Sequence, residues 1–222
     1  MLKYDAINLG ERDFLSGPTF LQNMKKEYDL PFISANVFQP DSTSKFTEPY
    51  VIKKLKGRKH GDIKIQPLKV GIFGIMLKRP VLVYVNEEPN LITKDPIQIA
   101  EEIVDKIKGK CDIIIALAHL NTPQITELTT RVKEIDIVIG SHDYSRRDTP
   151  YKVNDAIVLQ TGTKGQYVGD LKINFGDDKK IKSFDGDVIK LDSKIKNDDE
   201  IKKLVTEFNE KYRKFIKEQV RR

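Results

Sequence analysis

The chain of 222 residues has one cysteine, Cys111, and no tryptophan. A single thiol excludes an internal disulfide framework and a paired-cysteine metal knuckle. No apolar run approaches the ~20 residues of a membrane span. The opening residues, Met1-Leu2-Lys3-Tyr4-Asp5, enter a strand-like pattern with no apolar leader, so the chain as written reads as soluble and without an export signal. Internal repeats, low-complexity segments, a P-loop, a GxGxxG turn and a GxSxG elbow are all missing. ATP-binding P-loop, dinucleotide-binding and α/β-hydrolase chemistry therefore lack their sequence support.

What is present is charge in both signs and enough apolar residues for a core. Lys and Arg number 39 against 33 Asp and Glu, for a net charge of +6. The lysines are interleaved with acids and carry no nucleic-acid motif, which reads as a solvated surface and not as a nucleic-acid interface. Apolar residues make up 39%. Length and composition predict one domain over residues 1–222.

Short β-branched runs alternate with helical ones, which predicts an α/β fold. Strands are expected at Tyr4–Leu9, Phe32–Val37, Leu68–Met76, Asp112–Leu120 and Ile135–Ile139. An edge strand is expected at Tyr50–Leu55, and the following KGRKHGD reads as an exposed loop. Later strands are expected at Ala156–Gln160, Gln166–Phe175 and Lys180–Leu191, the last ones antiparallel. Pro18, Asp95-Pro96 and Thr122-Pro123 open helices. A final helix over about 198–220, with Asn197 and Glu200 at capping-box spacing, carries Ile201, Leu204, Val205, Phe208, Tyr212, Phe215 and Ile216 as a stripe that reads as core packing.

Two histidines end buried strands: His119 closes IIALAHLN and His142 follows IDIVIGS. The crevice beyond the carboxyl ends of parallel strands is where α/β proteins bind ligands, and a neutral imidazole there is a candidate metal ligand. Each also has the plain reading of a hydrogen-bonded histidine.

The segments around these histidines carry a resemblance. YDAINLGERDF resembles the YDAxxLGNHEF motif of calcineurin-like metallophosphoesterases in their 5′-nucleotidase branch. PFISANV, KVGIFGI, CDIIIALAHLN, IDIVIGSHDY and TGTKGQYVGDLKINF follow in the order of that family's segments. The resemblance runs from about Tyr4 to the final helix. It implies an α-β-β-α sandwich and metal-dependent hydrolysis of phosphate esters or nucleotides. The two family motifs that precede YDAxxLGNHEF, and the bridging aspartate they contain, have no counterpart here, so the resemblance implies a sandwich truncated at its N-terminal side. The chain would then be a fragment of a longer protein, or its open sheet edges would be completed by a homo-oligomer or by a partner chain.

Residue by residue, His119 matches the family's metal histidine and His142 the first histidine of GHxH. Tyr144 stands at the second histidine, Glu11 at the metal-binding Asn, Arg12 at the catalytic-type His and Asp13 at the following Glu. The implied metal ligands are Glu11, His119 and His142, holding Mn, Zn or Mg, with Arg12 and His119 as catalytic candidates. Alternatives stay open: Glu11 and Arg12 as a structural pair, or Arg12, His119 and the amides after Gly162 holding an anion without a metal. A chain that keeps the fold but not the catalysis, as a binding or assembly domain, is the rival function. Many relatives are exported, although no signal is present in this sequence.

Overall fold

The structure, a computed structural model, describes residues 3–60, 63–80, 90–143 and 146–220. It divides into two compact units, Met1–Ile189 and Lys190–Arg222. In the first unit β1 (Ile7–Asn8) leads through a 3₁₀ turn (Glu11–Ser16) to α1 (Pro18–Tyr28). Short strands β2 (Phe32–Ile33) and β3 (Val37–Phe38) precede the longer β4 (Tyr50–Leu55), the pair β5 (Arg58–His60) and β6 (Ile63–Ile65), and β7 (Leu68–Met76). Then come β8 (Ile92–Thr93), α2 (Pro96–Ile107), β9 (Ile113–Leu120), α3 (Thr122–Arg131) and β10 (Ile137–His142). The unit closes with β11 (Tyr151–Val153), β12 (Ala156–Gln160), β13 (Tyr167–Phe175) and β14 (Ile181–Lys190). The second unit holds α4 (Asp199–Val220).

Six strands form the main sheet in the order β11-β12-β10-β9-β7-β4. Its four central strands run parallel, and β11 and β4 close the edges antiparallel. Four carboxyl ends therefore lie along one rim, as the parallel reading of the apolar runs requires. β4 takes the edge position expected from sequence.

Side-chain alternation assigns the two faces. Ile114, Ala116, Ala118 and Leu120 of β9 pack with Ile99, Ile103 and Ile107 of α2 and with Ile125 and Leu128 of α3. The four-residue spacing of the α2 isoleucines puts them on one stripe. Asp95 caps α2 by accepting from the backbone N–H of Ile97 and Gln98. On the opposite face, Val70, Ile113, Ile137 and Ile157 meet Leu171, Ile173, Ile181 and Phe184 of the β13–β14 pair. A third cluster joins Leu9, Phe14, Leu21 of α1, Val37 and Met76. Helices thus cover one face of the main sheet and the β13–β14 pair the other.

Several expectations need correction. The strand predicted over Tyr4–Leu9 pairs only at Ile7–Asn8. Phe32–Val37 is broken between Ile33 and Val37, because Ser34, Ala35 and Asn36 are spent on ties to residues distant in sequence. Asn36 donates to the carbonyls of Met76 and Lys94 and accepts from the Met76 N–H. KGRKHGD is not simply a loop, since Arg58–His60 pairs antiparallel with Ile63–Ile65. Asp198, not Asn197, caps α4, accepting from the Ile201 N–H at 3.0 Å. Within the second unit no core forms around the α4 stripe among the described residues: Leu204 is 55%, Phe208 65% and Tyr212 54% accessible.

Candidate metal centre

The cleft lies on the carboxyl rim of the parallel strands, on the face away from α2 and α3. It encloses about 880 Å³. Leu117 and His119 of β9 reach it by the same alternation that buries Ile113 below them. Ile139 and Ser141 do so from β10. By that alternation His142 belongs with Val138 and Gly140 on the helix side. Its backbone φ of 100° breaks the pattern, and the imidazole lies instead against His119. A β-carbon in this left-handed region is strained, a cost found at functional positions.

Glu11 arrives from the other layer. Asp13 accepts from the Gly10 N–H at 2.7 Å and fixes the 3₁₀ turn, which points Glu11 inward at 5% exposure. Gly10 packs tightly on the site: a β-carbon there would sit 3.1 Å from His119 Nε2, and the ring would have to shift by a few tenths of an ångström. The layers are further pinned by Asn8, whose amide donates to the carbonyls of Ile75 on β7 (2.8 Å) and Leu117 on β9 (2.9 Å).

The three side chains meet closely. His119 Nε2 lies 2.7 Å from Glu11 Oε2 and 3.2 Å from His142 Nδ1. His119 Nδ1 lies 3.0 Å from Ser141 Oγ. One donor atom from each of Glu11, His119 and His142 can be chosen so that all lie within 4.8 Å of one another. Burial pushes the Glu11 carboxyl up, but its backbone hydrogen bond and the charge and hydrogen bond of His119 outweigh it and hold it below the usual range. His142 is held below the usual imidazole range, first by burial and then by His119. Glu11 therefore stays a carboxylate and His142 favours its neutral form, the protonation states a metal ligand needs.

Glu11, His119 and His142 are thus brought together as the sequence suggested. Arg12 lines the same cleft but does not pair with Glu11. Glu11 is faced instead by Arg79, whose Nη1 lies 3.7 Å from Oε1, so the Glu11–Arg12 pair is set aside. Thr163 and Lys164, after Gly162, also line the cleft. Tyr144 lies outside the described residues. Sequence reasoning missed Arg79 and Ser141. Arg79 was detectable as a charge just past the carboxyl end of β7, and Ser141 as a residue of the same strand face as Ile139.

The comparisons with known proteins bear on the fold. No family model matches the chain. It is 29% identical over 206 residues to the trifunctional nucleotide phosphoesterase protein YfkN of Bacillus subtilis, covering 79% of this chain and 14% of that protein. It is 27% identical over 222 residues to the snake venom 5′-nucleotidase of Crotalus adamanteus, covering 90% of this chain and 36% of that one. The crystal structure of the calcineurin-like phosphoesterase YfkN from B. subtilis superposes with a TM-score of 0.77 at 23% identity, over 97% of this chain and 72% of that one. The fold is that of the calcineurin-like phosphoesterases. The homologues and structural neighbours of the chain are calcineurin-like phosphoesterases and 5′-nucleotidases. The chain spans well under half the length of these curated relatives.

Proposed function

We propose that the chain holds one divalent metal ion on Glu11, His119 and His142 and hydrolyses phosphate esters in this cleft, nucleotides among them. The observation that supports this is the convergence of two imidazoles and a buried carboxylate within 4.8 Å. That donor set suits Mn, Zn or Mg. It fits one ion better than two, because among the described residues no second cluster of His, Cys, Asp or Glu stands beside it. Activity is accordingly weak relative to a two-metal hydrolase.

When bound, such an ion supplies Lewis acidity toward the phosphoryl group and makes a water more acidic. The rest falls to the chain. His119 Nδ1 lies 3.0 Å from Ser141 Oγ, so with a metal on Nε2 the Nδ1–H would donate to Ser141 and hold the ring, whereas without one Nε2–H donates to Glu11. Arg12, Arg79 and Lys164 give the cleft a cationic wall that attracts a phosphate dianion. Nucleotide substrates are inferred from the curated relatives, named as a nucleotide phosphoesterase and a 5′-nucleotidase.

Elemental analysis after dialysis against Mn²⁺ or Zn²⁺, together with phosphate release from a nucleoside monophosphate, tests the reading. The expected result is about one metal per chain, with manganese-dependent release abolished in His119→Ala and His142→Ala. Equal release in both variants rejects it.

A second reading is favoured by Arg79 beside Glu11, since a fixed positive charge there opposes a metal. In it the chain is a non-catalytic binding or assembly domain, or a half-domain whose two-stranded β1–β2 sheet is extended by a partner chain or a second copy. It expects a folded chain whose melting temperature ignores chelators.

A further inference from the structure

A second pocket of about 270 Å³ lies in the same unit and shares no lining residue with the cleft. It is built from β3, the loop after it, the residue following β8, and the outer side of α2. Phe38 forms its floor and is 4% exposed. The ammonium of Lys45 and that of Lys94 each sit 4.1 Å from the Phe38 ring centroid. The two charges are therefore no farther apart than twice that distance. Lys106 and Gln98 of α2 line the same pocket, with Thr43 opposite. Glu102 is the one carboxylate among the lining residues.

Three cations around one carboxylate leave an excess of positive charge in a partly enclosed space. Lys45 donates to the Ala35 carbonyl at 2.6 Å and keeps its other N–H groups free for a ligand. Among the described residues, none of the three lysines makes an ion pair within 4 Å. Like charges held this close repel, and the Phe38 ring offsets only part of that cost. The Phe38 ring, the Ala35 carbonyl and Glu102 compensate this charge only in part, so an anion seated among the lysines would be stabilised. We propose that this pocket is an anion site for a tetrahedral oxyanion, a phosphate group held by Lys45, Lys94 and Lys106.

The chemistry narrows the ligand. Phe38 is buried and has lysines over it, so no aromatic face is offered to a nucleobase. The pocket's size suits the anion itself or the phosphoryl end of a larger molecule that extends into solvent. Gln98 and Thr43 supply neutral donors that complement the three cations. Lys45 is held below the usual lysine range, first by burial and then by Lys106 and Lys94, with Glu102 opposing. A bound anion relieves that repulsion.

The test separates this site from the cleft. The full chain carrying His119→Ala and His142→Ala, dialysed against chelator, is titrated calorimetrically with inorganic phosphate, sulfate and adenosine monophosphate at constant ionic strength. Saturable phosphate binding is expected to survive these two substitutions, and to weaken about tenfold when Lys94→Gln and Lys106→Gln are added. Lys106→Gln alone, at an exposed position whose loss does not disturb the core, is expected to weaken it about threefold. Binding of phosphate and sulfate alone assigns the site to the free anion, and comparable binding of adenosine monophosphate assigns it to a phosphoryl terminus. Unchanged affinity in the lysine variants, or no saturable binding of any of the three anions, overturns the proposal. Loss of binding in the histidine variants alone would assign the phosphate to the cleft, which also overturns it.

Discussion

Gly74 of β7 offers a quantitative test of how the two layers meet. A β-carbon built there falls 2.3 Å from Asn8 Oδ1, 2.9 Å from Asn8 Cγ and 3.1 Å from Ile33 Cγ1. The Asn8 amide cannot give way freely, because it is tied to the Ile75 and Leu117 carbonyls. Gly74→Ala must therefore displace it and forfeit two hydrogen bonds, each worth about 1 kcal/mol net. Crowding in a packed layer adds about 1–3 kcal/mol. Against this, replacing glycine within a strand returns about 0.5–1 kcal/mol. The net expectation is a loss of about 2–4 kcal/mol. The assay is urea unfolding followed by far-ultraviolet circular dichroism, run as a double-mutant cycle with Asn8→Ala. In the Asn8→Ala background only the Ile33 contact remains, and Gly74→Ala should cost at most about 1 kcal/mol. A coupling below about 0.5 kcal/mol would refute the reasoning, since Asn8 would then not be seated over Gly74.

At position 142, glycine tolerates a φ of 100° and alanine does not, so His142→Gly should exceed His142→Ala in stability by about 1 kcal/mol; the reverse order in thermal melts counts against the left-handed backbone. Glu48 titrates at about 2, held down by its hydrogen bond from Lys25 and by its backbone hydrogen bond. A depressed carboxylate contributes stability above its ordinary 4.5 that is lost as pH falls toward about 2, so Glu48→Gln should flatten the melting-temperature profile within that window; an unchanged slope there argues against the pair. Phe208→Glu, at a position 65% exposed, should shift unfolding by less than about 0.5 kcal/mol. A loss of about 2 kcal/mol or more would restore the core-packing reading of α4.

The sequence carried the regular parts of this fold because apolar spacing decides them. Leu68–Met76 and the helix after Asp95 were legible at their boundaries, since nine strand residues and three isoleucines four apart admit little else. The interruption at Ser34–Asn36 was not, because Asn36 turns away from its strand to satisfy Met76 and Lys94, which are distant in sequence. At the candidate centre, Glu11, His119 and His142 were legible through motif order. The turn of His142 back toward His119 was hidden, because a left-handed φ at a non-glycine residue leaves no mark in the sequence. Arg79 was hidden for a different reason: its nearness to Glu11 depends on how two layers dock. The Asn197 cap failed by one residue because Asp198 offers the same chemistry one step later.

The centre also has a consequence in time. Glu11 and His119 are separated by 108 positions, and His142 lies a further 23 beyond. A growing chain therefore exposes Glu11 long before its partners exist, by roughly 10 s at ordinary synthesis rates. Nothing local can assemble the site, because its three donors come from the 3₁₀ turn after β1 and from two strands of a different sheet. Contacts this remote form late, after loop closure has been overcome. Unfinished or half-folded chains consequently lack this geometry, and metal binding at the proposed centre would report completion of the native state.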